Sequence, residues 1–232
     1  MIRDFTLGEV WFLVQALRWT LLLTMVAFVG GGVVGLGVAV ARISADRLPR
    51  GIAIAYIKLF QGTPLLMQLY LVYFGATFLG LEANAWVAAA LALTLYTSAF
   101  LGEIWRGCIQ AIPRGQWDAG RALALGPVAQ LRLVILPQAL RIAIPPTVGF
   151  LVQVLKGTSL ASIIGFTELT RAAQIVNNAT FRPFIVYAIV AALYFACCWP
   201  LSRLSWRLEP RLDRAPANRR PPWNTAGSAA VG

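Results

Sequence analysis

The sequence predicts an all-α integral membrane protein with about five transmembrane helices and one short amphipathic helix in a loop between them. Three observations predict it. Of 232 residues, 59% are hydrophobic and only 12% are charged, which is too little charge for a soluble domain of this length. The mean hydropathy is +0.70. Finally, residues 19–41, 59–81, 83–102 and 183–202 contain no Asp, Glu, Lys or Arg, and each run is long enough to cross a hydrocarbon core of ~30 Å at ~1.5 Å per residue.

Taken in order, the first span is expected over about residues 11–41; it is too long for a signal-peptide core and has no basic leader cluster, so it is read as a retained span. The second is expected over 52–80 and contains Gly62-Thr63-Pro64. Pro64 has no N–H, so a carbonyl in the preceding turn is freed and the helix is broken there, either towards a pathway or as a packing kink. The third is expected over 83–110, and the fifth over 183–207. The fourth, 133–155, is apolar apart from Arg141 but holds Pro137, Pro145 and Pro146. It is expected to be irregular and shielded by neighbours, where protein or water satisfies the freed backbone groups. Residues 1–214 form one transmembrane domain on this reading, and the Pro-, Ala- and Gly-rich stretch 215–232 is expected to be a disordered tail.

The formal net charge of +11 sits mostly at span ends. No basic stretch is interleaved with aromatics, so a nucleic-acid surface is excluded. Arg42, Arg47 and Arg50 follow the first span, Arg114, Arg121 and Arg132 follow the third, and six arginines from Arg203 to Arg220 follow the fifth. The opposite side has Arg3, Arg171 and Arg182, with Lys156 near the boundary. The positive-inside rule therefore puts the N terminus outside and the C terminus in the cytoplasm.

The chain contains no histidine, which excludes an H-E-x-x-H zinc site, a Ser-His relay and histidine-ligated haem. Glu103 and Glu168 lie on different segments and form no carboxylate dyad, and there is no G-x-x-x-x-G-K-[ST] phosphate loop. Cys108, Cys197 and Cys198 have no metal-like spacing and are read as small packing residues. An embedded enzyme is thereby disfavoured, and any ATP-driven work has to be done by another chain.

The loop after the third span carries "GQWDAGRALALG", residues 115–126. Pro113 and Gly115 break the chain before it and Gly126-Pro127 after it, which leaves a short amphipathic helix over about 116–125. Asp118 is expected near its start, at the positive end of the helix dipole. Such a helix either lies on the membrane surface or docks into a groove on a partner.

The flanking residues resolve that choice. "GEIWRGCIQAIPRGQWDAGRALALGPVAQLRLVILPQALRIAIPP", residues 102–146, resembles the cytoplasmic EAA loop of the permease subunits of ABC importers, most closely those of the polar amino acid family that includes histidine, glutamine and glutamate permeases. "QGTPLL" at 61–66 and "KGTSLASIIGFTELTRAAQ" at 156–174 are similar to that family as well, and the likeness runs from the first span to about Arg211. The family's E-A-A falls on Asp118, Ala119 and Gly120, its following glycine on Ala124, and its I-x-L-P on Val134, Ile135, Leu136 and Pro137. Asp keeps the charge and Val the apolar branch. Alanine at 124 resists the bend that glycine allows, and Gly126 is expected to supply the turn instead.

The resemblance implies a type I ABC importer permease in a bacterial inner membrane. Its coupling helix, with Gln116, Trp117, Asp118, Ala119, Gly120, Arg121, Ala124, Leu125 and Gly126, would seat in a cleft of a separate ATP-binding cassette ATPase. It further implies that this chain binds no cofactor, that ATP and Mg sit on the ATPase, that an extracytoplasmic binding protein delivers substrate, and that a second permease subunit completes the pathway within membrane lipid. Alternatives are a permease for another small solute, such as an opine or an osmoprotectant, or a channel or scaffold with a surface helix.

Ionisable residues inside spans need a reason. Glu103 and Arg106, three apart, are read as a structural pair, and Lys58 and Arg18 as snorkelling to headgroups. Arg141 is read as an anchor to the headgroups, with the inner gate as the other option. Gly62, Thr63 and Pro64, with Thr158, Ser159 and Glu168, are the residues expected to line a substrate pathway. For Glu168 the competing reading is an ion pair with Arg171 that holds an outer loop.

Overall fold

The computed structural model describes residues 4–212 apart from 83, with side chains described as far as 209. The expected tail, 215–232, lies outside the described residues. The elements are all helical: α1 Leu7–Ile43, α2 Arg47–Gly62, α3 Leu65–Phe78, α4 Ala85–Gln110, α5 Arg114–Ala122, α6 Pro127–Gln130, a π-helical turn Leu131–Ile135, α7 Leu136–Gly157, a 3-10 segment Thr158–Ile164, α8 Leu169–Thr180 and α9 Pro183–Leu212.

Four of the stretches are long and apolar enough to cross a membrane: Leu7–Ile43, Ala85–Gln110, the continuous helical run Pro127–Ile164, and Pro183–Glu209. The span expected over 52–80 is broken where Gly62-Thr63-Pro64 predicts, into two helices, α2 and α3, bent by 103°. The break falls on Thr63 and Pro64, between the two helices. In the proline-rich run, Pro145 and Pro146 stay inside α7, and the irregularity is the π-helical turn just before Pro137.

Small residues set the closest helix pair, α1 against α4. A methyl added at Gly31 would lie 2.5 Å from the Thr97 side chain, one at Gly35 would lie 3.0 Å from the Ser98 carbonyl, and one at Gly102 would lie 2.8 Å from Val38. Such contacts let two backbones approach where lipid supplies no hydrophobic drive for association. Val29, Val33, Leu36 and Val40 of α1, all exposed, line an apolar groove with Trp105 of α4 and Leu140 of α7. A row of this kind suits acyl chains and would be a liability in water.

The core of the described residues has four apolar clusters, one of them Val152 and Leu155 of α7 with Cys198 of α9, and the other three follow one another along α1. At one end, Leu13 and Ala16 of α1 meet Leu169, Ala173 and Val176 of α8 and Val186 and Val190 of α9. In the middle, Leu23, Ala27, Leu69, Ala92, Leu93, Val154 and Ile164 come together. At the other end, Ile109, Ile112, Ile135 and Ala139 pack with Ile43 and Trp117. This last cluster is the seat of α5.

Candidate functional site: the loop helix and the broken segments

Helix α5 starts at Arg114, so Asp118 falls in its second turn, and no acidic residue lies in its first. The sequence expectation of a dipole contact is corrected accordingly: Asp118 is instead held by Arg121, 2.5 Å away, with both side chains more than half exposed. One stripe of the helix faces the bundle. Gly120 is buried and Trp117 half-buried, while Asp118, Ala119, Arg121, Ala122 and Leu123 are exposed.

Two glutamines from the following chain hold the helix, one at its buried stripe and one at the exposed Gln116. Gln130, only 6% exposed, donates its side-chain amide to the Trp117 carbonyl. Gln138 donates to the Gln116 side-chain oxygen at 3.1 Å and to the Val134 carbonyl at 2.8 Å. A methyl on residue 120 would come within 2.7 Å of Gln130. Glycine at the family's second alanine is therefore matched to the glutamine that fills the space.

The helix ends in a Schellman arrangement. The Leu125 N–H reaches the Gly120 carbonyl at 3.1 Å, and the Ala124 N–H reaches the Arg121 carbonyl at 2.9 Å. Ala124 itself takes the left-handed conformation, φ +54°, whereas Gly126 has φ −64° and precedes α6. The expectation that Gly126 supplies the turn is thus corrected: the chain reverses at alanine, which pays about 1–2 kcal/mol for a left-handed backbone. Ala124→Gly is expected to stabilise the loop by about 1 kcal/mol, read as slower proteolysis of the loop and a small rise in Tm.

Above α5, the expected pair of Glu103 and Arg106 is present. Arg106 donates through Nη2 to Glu103 Oε1 at 2.5 Å and through Nε to Oε2 at 2.9 Å. Arg42 joins it from α1, with Nε 3.6 Å from Glu103 Oε2. The cluster ties the end of α1 to α4 beside the α5 seat. At the other end of the bundle, Arg18 lies over the Trp19 ring.

The two broken segments meet in the middle of the bundle. A methyl on Gly157, where α7 passes into the 3-10 segment, would lie 3.2 Å from Leu65, the first residue of α3. Gly62 and Pro64 are exposed and Thr63 is half-buried. The hydroxyls are committed locally: Thr63 donates to the Leu59 carbonyl at 2.8 Å, Thr158 to Leu155 at 2.7 Å, and Ser159 to Lys156 at 2.7 Å. Thr158 is fully buried and Ser159 half-buried.

Glu168 lies apart from them, in the cluster at the α8 end. It is 0% exposed and caps α8, accepting from the Thr170 N–H at 2.9 Å, the Arg171 N–H at 2.8 Å and the Tyr194 hydroxyl at 3.0 Å. The Arg171 guanidinium donates to Gln174, so the competing reading of a Glu168–Arg171 ion pair is not what the structure shows. Burial pushes the Glu168 carboxyl above its ordinary range, against the pull of the two N–H donors and the two hydroxyls beside it. The next N–H, that of Leu169, donates to Thr20 of α1 at 3.1 Å, which docks α8 onto the bundle.

Sequence reasoning missed Gln68, Gln130, Tyr194 and the Tyr56–Ser98 contact, where the two hydroxyl oxygens are 2.6 Å apart and join α2 to α4. For Gln68 a signal exists: it is a glutamine four residues after a proline in an apolar run.

The described residues thus form a polytopic helical bundle with an amphipathic loop helix packed against one end, the architecture of a multi-pass membrane protein. Residues 31–214 match the binding-protein-dependent transport system inner membrane component family, and the chain belongs to that family. It is 35% identical over 187 residues to a probable amino-acid ABC transporter permease protein of Bacillus subtilis, YckA, covering 81% of this chain and 83% of that one. It is also 35% identical over 214 residues to the nopaline transport system permease protein NocM of Agrobacterium fabrum, covering 86% and 89%. A solved amino acid ABC transporter with histidines superposes with a TM-score of 0.85 at 36% identity, covering 91% of this chain and 100% of that one. The chain is a multi-pass permease subunit of an ATP-driven importer and not an enzyme; ATP hydrolysis belongs to a separate partner subunit. Membership also implies an ATPase and a binding protein as partners.

Proposed function

We propose that this permease carries a polar amino acid across a bacterial inner membrane and that α5 is its coupling helix, seated in a cleft of an ATP-binding cassette ATPase that holds ATP and Mg. The observation that carries this reading is the asymmetry of α5. Its inner stripe is bonded to Gln130 at the Trp117 carbonyl, its start is tied to Gln138 through Gln116, and its outer side offers Asp118, Arg121 and Leu123 to a partner. A helix pinned on one side and exposed on the other transmits a push as a rigid handle; a helix that only rested on lipid would need no such seat.

On this reading Gln116, Trp117, Gly120, Ala124, Leu125 and Gly126 shape the handle, while Asp118, Ala119 and Arg121 meet the ATPase. ATP binding closes the two ATPases and draws the α5 ends together, and hydrolysis releases them. Gly62, Thr63, Pro64, Thr158 and Ser159 lie along the substrate route, at the interface with a second permease subunit. Glu168, buried as the cap of α8, lies apart from that route and holds the α8 end in place. The arginines at the α5 end, Arg42, Arg47, Arg50, Arg114, Arg121 and Arg132, support a cytoplasmic α5, an external N terminus and a cytoplasmic C terminus. A binding protein then delivers substrate at the α8 end.

Asp118→Lys is expected to abolish co-purification of the ATPase from mild detergent while membrane insertion is retained. Loss of insertion, or an ATPase recovered equally with both chains, would count against the coupling role. The likeness to a nopaline permease favours a second reading, an amino-acid conjugate of the opine type. Uptake into vesicles, assayed with the cognate binding protein and a panel of labelled amino acids and opines, separates the two.

A further inference from the structure

Pro64 cannot donate to the Phe60 carbonyl, and Thr63 stands outside both helices, so the last turn of α2 has freed acceptors in apolar surroundings. Such acceptors are costly unless something within the protein bonds them. Gln68, on the first turn of α3 and 5% exposed, supplies the missing donor. Its side-chain nitrogen lies 2.8 Å from the Phe60 oxygen, 3.1 Å from the Thr63 carbonyl oxygen and 2.9 Å from Thr63 Oγ1. Thr63 Oγ1 in turn donates to the Leu59 carbonyl at 2.8 Å. With three acceptors around it, the amide must turn its nitrogen, not its oxygen, towards the bend.

The carbonyls of residues 59, 60 and 63 are therefore all closed by Thr63 and Gln68, and the end of α2 is stitched to the start of α3 across the 103° bend. Each arm is attached elsewhere. The Tyr56 hydroxyl holds α2 to α4 through the Leu95 carbonyl at 3.0 Å and through Ser98. Leu65, at the head of α3, packs where α7 turns into the 3-10 segment at Gly157.

We propose that Gln68 is a positioning residue for transport: its amide holds the α2–α3 elbow at a fixed angle, so that movement of α2 at the α5 end is passed to α3 and to the 3-10 segment. Only the purpose of that movement rests on the importer reading above; the angle does not.

The test measures both. Gly51 on α2 and Gly75 on α3 have open space where a side chain would begin, so spin labels at Gly51→Cys and Gly75→Cys report the elbow. They are placed in a chain whose Cys108, Cys197 and Cys198 are replaced by alanine, in the assembled complex with one labelled copy. With Gln68 present, one narrow distance distribution is expected with and without ATP. Gln68→Met keeps the length and removes the donor, and is expected to broaden it. In vesicles, Gln68→Met is expected to lower substrate moved per ATP hydrolysed by about tenfold, the scale on which one buried hydrogen bond shifts a two-state balance. ATPase association is expected to persist.

An unchanged narrow distribution in Gln68→Met would show that packing sets the angle and would overturn the proposal. So would a broadened elbow with transport per ATP unaltered. Should Gln68→Met fail to insert, Thr63→Val, which removes one of the amide's partners, is read by distance alone: broadening supports the clamp and no change refutes it. If no ATPase joins the native chain, the importer reading fails while the distance comparison still decides the elbow.

Discussion

Replacing Glu168 by alanine is expected to destabilise the folded chain by about 3–5 kcal/mol, from buried N–H donors left without an acceptor together with the cavity the side chain leaves. The side chain is fully buried and closes three donors at once: two N–H groups at the start of α8 and the Tyr194 hydroxyl of α9. Its loss leaves the Thr170 and Arg171 N–H groups without their acceptor, while the Tyr194 hydroxyl keeps only the Thr170 hydroxyl at 3.1 Å. Because the Leu169 N–H on Thr20 is the adjoining link to α1, α8 should loosen from both neighbours together. Glu168→Gln keeps the shape and one acceptor but turns an amide donor towards existing donors, so an intermediate loss of about 1–3 kcal/mol is expected. Thermal unfolding in detergent, followed by near-UV signals, ranks the three proteins. Burial raises this carboxyl's folded pKa, so the folded chain holds the proton more tightly than the unfolded one. The part of its stability linked to protonation is fullest below the ordinary carboxylate range and is lost as pH rises through the raised value. Glu168→Gln should remove that slope.

Gly120→Val is expected to cost about 1–3 kcal/mol through overpacking and to weaken ATPase association by about tenfold, the equivalent of ~1.4 kcal/mol. The nearest side-chain atoms of Gln130 lie 2.7–2.9 Å from where the new Cβ would stand. Gln130 is buried and donates to the Trp117 carbonyl, so moving it aside breaks the bond that seats α5. Gln130→Ala alone opens space and removes that bond. In the double variant the clash disappears, and the two effects should sum to less than their separate costs. Strict additivity, measured as ATPase retained on the purified permease against detergent-induced dissociation, would show that Gly120 and Gln130 act independently.

Both predictions turn on contacts between residues far apart in the chain, and this is where the sequence was hardest to read. The helix break at Gly62-Thr63-Pro64 is local: proline cannot donate, so the backbone itself announces it. The loop helix is local too, bracketed by Pro113 and by Gly126-Pro127. The turn at Ala124 misled because glycine is the usual left-handed residue, and Gly126 stood two residues away. The packing of α5 on the chain after it, together with the Leu125 N–H bond to Gly120, places the reversal two residues earlier and holds alanine there. For Glu168 and Arg171 the sequence left two readings open. Their spacing permits an ion pair, but the helix N terminus and Tyr194 take the carboxylate first.

By itself the sequence determined that this chain crosses a membrane, about how many times, where its helices break and which loop carries an amphipathic helix. Each of these follows from the transfer of consecutive side chains into hydrocarbon and from the backbone donors that proline removes, both of which are local. Only the tertiary structure decided which partner each buried polar group takes: Gln130 over Gly120, Gln68 across the elbow, Tyr194 and two N–H groups on Glu168. Those pairings depend on which helix faces meet. Small residues such as Gly31, Gly35 and Gly102 determine that approach by letting α1 and α4 come close, and the energy of an unpaired polar group in an apolar bundle then selects the partner that is within reach.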